Sequence, residues 1–179
     1  MGPMRGDGNG WAAGPNGVSV WGRFGAAGLF LVARAEPGGW CVLLQHRAPW
    51  TNHGGTWALP GGARDSHESA VEAALRETEE ETALAAGAVG VLGEIVTAGP
   101  YPGDPERPEL PGGWTYTTVI GRTASGLRDA TDPNDESLEL RWVPFEDVDE
   151  LPLLPAFRSS FPRLRELALE RLRDAGAEN

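Results

Sequence analysis

The stretch Gly61–Leu84, GGARDSHESAVEAALRETEEETAL, combines a helical pattern with a dense run of negative charge. Four of the five residues from Glu77 to Glu81 are glutamates. On a helix, Glu77, Glu80 and Glu81 are separated by three and four positions, so their carboxylates share one face. Each pair of like charges at this spacing costs an isolated helix about 0.2–0.5 kcal/mol. The stretch therefore gathers charge in a locally unfavourable way, which calls for a physical reason.

A helix is predicted from about Glu68 to Ala86 around this charge. Its apolar positions recur at intervals of three and four, which gives a stripe that can face a core. The stripe consists of Val71, Ala74, Leu75, Thr78 and Thr82. Ser66 is the expected N-cap, and Gly87 is the expected C-terminal stop.

The acidic face has two interpretations. It could be a solvated surface, partly relieved by an ion pair between Arg76 and Glu80. Alternatively, the carboxylates could bind a divalent cation, because Mg²⁺ prefers hard oxygen ligands in an octahedral arrangement. A bound cation would convert the repulsion into coordination. The order of the residues upstream favours this second interpretation.

The segment Gly62–Leu84 resembles the Nudix box of the Nudix hydrolase family. The matching positions, all at the family's spacing, are Gly62, Glu68, Arg76, Glu77, Glu80 and Glu81. Two positions depart from the pattern, because Thr78 replaces an aliphatic residue and Ala83 replaces the second glycine. Without that glycine, we expect that the helix does not end at Ala83 in the usual way.

The resemblance implies a chemistry and a set of roles. Family members use Mg²⁺ or Mn²⁺ to cleave a nucleoside diphosphate that is linked to another group. The implied metal ligands are the backbone carbonyl of Gly61 and the side chains of Glu77, Glu80 and Glu81. Arg76 is expected to orient the neighbouring glutamates by charge-assisted hydrogen bonds, and Glu68 to cap or brace the helix.

The general base has two candidates. It must be a carboxylate within one hydrogen bond of the attacking water. Glu77 lies in the box, whereas Glu136 precedes a late predicted strand, where some family members place a distal glutamate that binds metal or acts as base. Asp135 or Glu139 could take the place of Glu136, which could also be an ordinary loop carboxylate.

Several residues are candidates for contact with the substrate. The set consists of Arg47, Trp57, Trp114 and Tyr116, with Trp50, His53 and Arg122 as weaker candidates. The aromatic rings could stack on a base, and the arginines could meet phosphate. Aromatic residues at the junctions of strands and loops are core residues at least as often.

The predicted fold is a single α/β (α+β) domain with a mixed β-sheet sandwiched between helices. Strands are predicted in RFGAAGLFLVAR, WCVLLQHRA, ALPGG, VGVLGEIVTAG, WTYTTVIGRT and LELRWVPF, with a helical turn in FEDVDEL. A second, amphipathic helix is predicted from Pro155, with Phe157, Phe161, Leu164, Ala168 and Leu172 at helical spacing. This helix could dock on the sheet or join a second subunit, so monomer and homodimer both stay open.

The domain is expected to occupy residues 21–179, after a flexible Gly-rich segment over residues 1–20. The net charge of −11, from 26 acidic and 15 basic residues, disfavours a polymeric nucleic acid as partner but allows a small nucleotide. No apolar run is long enough to span a membrane. Cys41 is the single cysteine, which favours a reducing cytoplasm.

The resulting functional prediction is metal-dependent hydrolysis of a nucleoside diphosphate-linked compound, including nucleoside triphosphates or oxidised dNTPs. Pro100 and Tyr101 lie near positions where hydrolases of ADP-ribose and of dinucleoside polyphosphates, respectively, carry a marker. The alternative is a regulatory Nudix-like domain that senses a nucleotide without cleaving it. A third possibility, the isomerase branch of the fold, would require Cys41 as the catalytic residue.

Overall fold

The computed structural model describes residues 6–177 of the chain. Within this range the strands are β1 (Trp11–Ala13), β2 (Ser19–Trp21), β3 (Ala26–Arg34), β4 (Trp40–Arg47), β5 (Trp57–Ala58), β6 (Gly61–Ala63), β7 (Val89–Tyr101), β8 (Trp114–Thr123) and β9 (Ser137–Pro144). The helices are α1 (Ala70–Thr82) and α2 (Pro155–Asp174), with short 3₁₀ turns at Pro15–Gly17, Ala86–Ala88 and Phe145–Glu150. No helix among these residues is both long and apolar enough to cross a membrane.

The main sheet is mixed, as the sequence predicts. β3 lies at its centre, parallel to β8 and antiparallel to β4 and β6. β4 pairs with β5 and β9, while β7 pairs with β8 at the far side, all antiparallel. Because β4 pairs only with the last part of β3, β6 can pair with its first part. This arrangement places the start of the Nudix-like segment beside the middle of the sheet.

The two helices cover opposite faces of the sheet. Successive residues of a strand point to opposite faces, and β3 is buried on both. Leu29 and Leu31 pack in the cluster that contains α1 residues, whereas Phe30 and Val32 pack in the cluster that contains α2 residues. The predicted sandwich of helices around a mixed sheet is therefore confirmed.

The C-terminal helix docks on the sheet. Every position of its predicted apolar stripe is buried, namely Phe157, Phe161, Leu164, Ala168 and Leu172. Their neighbours include Phe30 of β3 and Phe145 of the 3₁₀ turn, with ring centroids 6.2 Å and 6.4 Å from that of Phe161. The stripe is thus covered within the chain.

Helix α1 is shorter than predicted at both ends. Its N-cap is Ser69 rather than Ser66, and the Ser69 and Glu72 side chains each accept a hydrogen bond from the other residue's backbone N–H. The helix ends at Thr82, before Gly87, because Ala83 adopts a left-handed conformation with φ 65°. The expectation that Ala83 would prevent the usual ending is therefore wrong, since alanine takes the conformation that glycine normally provides.

The expectation of a flexible segment over residues 1–20 is also corrected where the structure describes it. β1 and β2 pair antiparallel, with Trp11 opposite Trp21. The backbone N–H groups of Gly6 and Gly8 donate to the carboxylate of Asp65 at 2.9 and 3.0 Å. Residues 1–5 of the predicted segment lie outside the described residues. The rest of it, which we name the N-terminal hairpin (residues 6–21), is part of the folded domain.

The remaining strand predictions agree with the structure apart from their bounds. ALPGG divides into β5 and β6, since Leu59 and Pro60 separate the two pairings. β7 continues to Tyr101, two residues beyond the predicted strand VGVLGEIVTAG, so residues 102–113 connect it to β8. The helical turn of FEDVDEL is confirmed at Phe145–Glu150.

Candidate active site

The candidate site lies where β6 packs against α1. The backbone N–H of Gly61 donates to the carboxylate of Glu81 at 3.1 Å. The carboxyl group of Glu77 lies against Gly62, and a Cβ added to Gly62 would be 2.6 Å from its Cδ. Neither glycine has a positive φ. Gly62 is therefore needed for space beside the Glu77 carboxyl, and Gly61 for space beside the β3 backbone, where a Cβ would be 2.5 Å from the Ala27 oxygen, rather than for the backbone freedom of a tight turn.

Arg76 organises the charged groups. Its guanidinium donates to both carboxylate oxygens of Glu68, at 2.7 and 2.9 Å, and to Glu77 at 2.9 Å. It also donates to the backbone carbonyl of Ala63 at 3.0 Å, and Glu80 is at the limit of its reach at 3.5 Å. The predicted hydrogen bonds from Arg76 are present, but the strongest goes to Glu68 rather than to Glu80.

Glu68 braces the loop that enters α1. Its side chain is buried and also accepts a hydrogen bond from the backbone N–H of Asp65 at 2.9 Å. The hydrogen bonds from Arg76 hold the pKa of Glu68 below its ordinary value, against the opposing effect of burial. Glu68 is thus an ionised anchor for Arg76, in agreement with the structural role predicted for it.

The two inner carboxyls have the opposite electrostatics. Burial raises the pKa of Glu77 to about 7, although Arg76 opposes the shift. Burial, followed by the charge of Glu77, raises the pKa of Glu81 well above its ordinary value, and the Gly61 N–H only partly opposes it. Glu81 is 3% exposed, whereas the side chain of Glu80 is 57% exposed. The carboxyl groups of Glu77 and Glu81 are therefore costly to ionise unless a cation binds beside them.

The structure brings Glu136 to this cluster. The loop before β9 packs on the C-terminal end of α1, where Asp132 and Asn134 donate backbone hydrogen bonds to the carbonyls of Thr82 and Glu81. The Glu136 carbonyl accepts from the Ala48 N–H at 2.9 Å. The Glu136 carboxylate is exposed, and its charge contributes to the raised pKa values of Glu77 and Glu81.

The donor set fits a divalent cation. Four carboxylates line one cleft of about 1650 Å³. They are Glu77, Glu80, Glu81 and Glu136, and their hard oxygens are of the kind that Mg²⁺ and Mn²⁺ accept. Burial and neighbouring negative charge raise the pKa of Glu77 and Glu81, so ionisation of both carboxyls is unfavourable. A cation would make their ionisation more favourable.

Three of the four predicted substrate contacts line the same cleft. They are Arg47, Trp114 and Tyr116, joined by the weaker candidates Trp50 and His53. Burial raises the pKa of Tyr116, which keeps its hydroxyl protonated. The Tyr116 hydroxyl lies beside Gly61, 2.9 Å from where a Cβ of that residue would be. An aromatic wall thus adjoins the acidic end.

The prediction for Trp57 is corrected. Its side chain is 3% exposed and belongs to the core that includes α2. The ring of His46 stacks parallel to it with centroids 4.4 Å apart, and the Arg141 guanidinium lies over it at 4.6 Å. Protein groups therefore occupy the surroundings that a base would need.

Two further candidates lie away from the carboxylates. Arg122 borders a different cavity, beside Arg34 and Trp40. Cys41 is buried in β4, where its thiol donates to the carbonyl of Ala33 at 3.4 Å, and burial raises its pKa to about 11. A protonated, enclosed thiol does not suit a catalytic role, which counts against the isomerase possibility.

Sequence reasoning missed three residues of this region. Asp65 is buried and links the N-terminal hairpin to the loop that carries Glu68. Trp11 and Trp21 line the cleft, although Trp11 was expected to lie in the flexible segment and Trp21 only at the first position of the domain. The available signal was composition, since two tryptophans in and beside a Gly-rich segment indicate packing or binding. Asp7, Asp65 and His67 also cluster within 4.8 Å, but both aspartates already accept hydrogen bonds from the chain.

Comparison with known proteins agrees with this geometry. The family model described as the NUDIX domain matches residues 22–164. The chain is 51% identical over 162 residues to "Putative 8-oxo-dGTP diphosphatase 3" of Mycobacterium tuberculosis, covering 90% of this chain and 71% of that protein. The crystal structure of the Nudix hydrolase RenU from M. smegmatis has a TM-score of 0.80 and 47% identity, covering 91% of this chain and 96% of that one.

A longer relative is named as a fusion that includes a Nudix hydrolase. The chain is 38% identical over 159 residues to the "Nucleoside triphosphate pyrophosphatase/Nudix hydrolase fusion protein" of Bifidobacterium longum, and it covers 30% of that protein. The family match covers the whole of the acidic site and most of the sheet. The chain therefore belongs to the Nudix hydrolase family, as a pyrophosphohydrolase.

Proposed function

We propose that the protein hydrolyses the diphosphate linkage of a small nucleoside diphosphate-linked compound, with Mg²⁺ or Mn²⁺ as cofactor. The observation that supports the proposal is that Glu77, Glu80, Glu81 and Glu136 line the same cleft, where the charge of Glu136 acts on both Glu77 and Glu81. A cytoplasmic location belongs to the same proposal, because a nucleotide pool and free Mg²⁺ are found there and the single cysteine is unpaired.

Each group of the site has a role in this reaction. Glu77, Glu80 and Glu81, with the carbonyl of Gly61, would hold the cation, which when bound neutralises charge on the diphosphate oxygens. Arg76 keeps Glu77 oriented through the hydrogen bond at 2.9 Å. The oxygen of water forms a bond to phosphorus as the bond between phosphorus and the bridging oxygen breaks, and the water proton goes to a carboxylate.

The carboxylate that accepts this proton is Glu77 or Glu136. Glu77 is mostly buried, and burial raises its pKa to about 7 in the metal-free protein, whereas a bound cation would favour its ionised, proton-accepting form. Glu136 is exposed at the mouth of the acidic cluster and retains freedom to meet a water. Replacing each with glutamine separates the two, because only the loss of the base removes the corresponding ionisation from the pH profile of kcat/KM.

Among the possible substrates we favour an oxidised deoxynucleoside triphosphate. The relative at 51% identity carries the name of an 8-oxo-dGTP diphosphatase. Hydrolysis between the α- and β-phosphates of such a compound would give a nucleoside monophosphate and pyrophosphate. The aromatic residues that line the cleft, including Trp114, suit a nucleobase bound beside the carboxylates.

A product-release assay tests the proposal. Purified protein is incubated with Mg²⁺ or Mn²⁺ and with nucleoside triphosphates, 8-oxo-dGTP, ADP-ribose, sugar nucleotides and dinucleoside polyphosphates, and the products are separated by chromatography. We expect cleavage that EDTA stops, fastest for the oxidised nucleotide. Binding of these compounds without any cleavage would favour the regulatory alternative.

Replacement of one exposed glutamate tests the metal assignment. Glu80→Gln should lower turnover by at least about 100-fold, because a lost ligand costs more than the 10–100-fold typical of outer-shell partners. The thermal midpoint should not fall, since the Glu80 side chain is 57% exposed. The matched control is Glu79→Gln, which removes an exposed carboxylate from the same helical turn. Equal turnover in the two variants would refute the metal assignment.

A further inference from the structure

The N-terminal hairpin presents two tryptophans to the cleft. Trp11 and Trp21 face each other across the β1–β2 pair, with ring centroids 5.1 Å apart and planes at 82°. Their side chains are 49% and 46% exposed, and both line the cleft that contains the carboxylates. Large aromatic rings left half in water within a cleft indicate a surface for a ligand rather than a core.

The hairpin is held in place by hydrogen bonds on one side. The indole N–H of Trp114 donates to the carbonyl of Trp21 at 3.0 Å. Arg107, in the loop between β7 and β8, donates to the Ser19 hydroxyl and the Val18 carbonyl at 3.0 and 3.1 Å. These contacts fix the position of the two indoles relative to β8.

A second anchor comes from the Nudix box itself. Asp65 accepts hydrogen bonds from the backbone of Gly6 and Gly8, and Asp7 accepts from the Ser66 N–H and hydroxyl. The side chain of Glu68 in turn accepts hydrogen bonds from the Asp65 N–H and from the Arg76 guanidinium. The hairpin and the metal-binding carboxylates are therefore positioned by one continuous hydrogen-bonded network.

The aromatic and acidic ends of the cleft are adjacent. Trp114 lies between Trp21 and Tyr116, with its ring centroid 6.4 Å from that of Tyr116. The Tyr116 hydroxyl in turn touches Gly61, whose N–H binds Glu81. A ligand that spans the cleft would therefore present an anionic part to the carboxylates and a flat, apolar part to the indoles.

We propose that the N-terminal hairpin forms the base-binding wall of the cleft, where Trp11 and Trp21 contact the nucleobase of the substrate. This inference rests on the proposed function, because it assigns the base end of the same substrate. Aromatic rings bind bases by stacking, which does not require a particular hydrogen-bond pattern. Loss of both indoles should therefore weaken nucleotide binding by about 10- to 100-fold.

Kinetics with two matched substrates test this role. Trp11→Ala, Trp21→Ala and the double variant are compared with wild type on a nucleoside triphosphate and on a ribose triphosphate that lacks the base. We expect KM for the nucleotide to rise while kcat changes little, and we expect no change for the base-free compound. Trp11→Phe and Trp21→Phe should largely restore KM, since a phenyl ring still stacks. Leu127→Ala removes a side chain that is 66% exposed elsewhere and serves as control.

A binding measurement keeps the test independent of turnover. An α,β-methylene nucleoside triphosphate should quench tryptophan fluorescence in wild type, and the quench should shrink in the Trp11→Phe, Trp21→Phe double variant. If wild type cleaves no nucleotide, the proposed function fails, whereas this binding assay still reports on the wall. The base-binding role of the hairpin alone would be refuted by two results together. The alanine double variant would keep its nucleotide KM within twofold of wild type, and the phenylalanine double variant would keep its fluorescence quench within twofold.

Discussion

Gly62 lies directly against the carboxyl group of Glu77, and this contact decides which residue can occupy position 62. A Cβ there would be 2.6 Å from Cδ and 2.7 and 2.8 Å from the two oxygens of Glu77. Because real Cβ atoms do not approach so closely, any side chain at this position must displace Glu77. The requirement concerns space beside one carboxyl of the proposed metal site, so we expect it to act on activity more than on stability.

Gly62→Ala is accordingly expected to lower kcat/KM by about 100-fold, since a displacement of about 1 Å at a reacting group has an effect of that size. Steady-state kinetics on the best substrate provide the measurement. Gly87→Ala is the matched control, because nothing lies within 4 Å of its Cβ position. If both variants kept the activity of wild type, the contact between Gly62 and Glu77 would have no catalytic significance.

The raised pKa of Glu77 predicts how pH affects the metal-free protein. Glu77 ionises at about 4.5 in the unfolded chain but near 7 in the fold. Between these values the folded state retains a proton that the unfolded state has lost, so the free energy of unfolding falls as pH rises through this window. The contribution of this one residue is on the order of 3 kcal/mol.

Unfolding by urea in EDTA, at several pH values from 5 to 8, measures this effect. Glu77→Gln cannot ionise, so its stability should fall less over the same range. Mg²⁺ should stabilise the wild type more at pH 8 than at pH 5, because protonated carboxyls bind cations poorly. A wild type and a variant with the same pH dependence would contradict the assignment of the shift to Glu77.

The shared face of Glu77, Glu80 and Glu81 could be predicted because spacing on a helix determines which side chains lie on one side of it. All three line the same cleft. The reason for the glycine pair could not be predicted, since it depends on β6 packing against α1 at Gly62 and against β3 at Gly61, which are contacts between distant parts of the fold. The prediction that Trp57 contacts the substrate was wrong for the same reason, because local sequence does not distinguish a core aromatic ring from an exposed one.

The end of α1 departs from the conformational preference of the residue that forms it. Ala83 adopts φ 65°, where a side chain is strained and glycine is not. The surrounding contacts impose this conformation, since the Ala83 N–H donates to the Glu79 carbonyl at 2.9 Å and the next residue, Leu84, is buried. The position of the turn is therefore determined by packing rather than by the residue that makes it.

Ala83→Gly should for this reason stabilise the protein by about 0.5–1 kcal/mol, because the relief of strain exceeds the added entropy of the unfolded chain. Urea unfolding midpoints give the measurement. The control is Ala85→Gly, at an exposed position with φ −67°, where glycine should be neutral or destabilising. Destabilisation by both changes would show that Ala83 is not strained.

The start of α1 was mispredicted although its signal was present. Ser69 and Glu72 form the capping box, and their spacing of three residues is visible in the sequence. Ser66, the expected N-cap, instead donates its N–H and hydroxyl to Asp7. A residue that serves a distant contact cannot be separated from a cap by local pattern alone.

At the scale of the whole molecule, α2 closes the face of the sheet opposite α1. Leu164 is fully buried in this layer, among residues that include Phe30 and Val148. The sequence predicted the buried stripe of α2 because helical spacing was regular. The sequence does not show whether the chain's own sheet or a second subunit covers the stripe, since either surface would be apolar.

Leu164→Ala should destabilise the protein by about 2–5 kcal/mol through lost burial and the cavity that remains. Glu166→Ala changes an exposed side chain on the same helix and should alter stability by less than about 0.5 kcal/mol. Thermal unfolding compares the two variants. Because α1 carries the acidic cluster on the other face, kcat of Leu164→Ala should stay near that of wild type while the protein is folded. A loss of kcat without a loss of stability would contradict this division of the molecule.

The anchoring of the N-terminal hairpin by Asp65 has a consequence for how such proteins are grouped. The family match begins at residue 22, after both tryptophans of the hairpin. Proteins sorted by the shared domain alone would fall into one class whether or not they carry this extension. If the indoles select the base, members of that single class would differ in whether they hydrolyse damaged or intact nucleotides. The residues that determine this difference would precede the part of the sequence that the family shares.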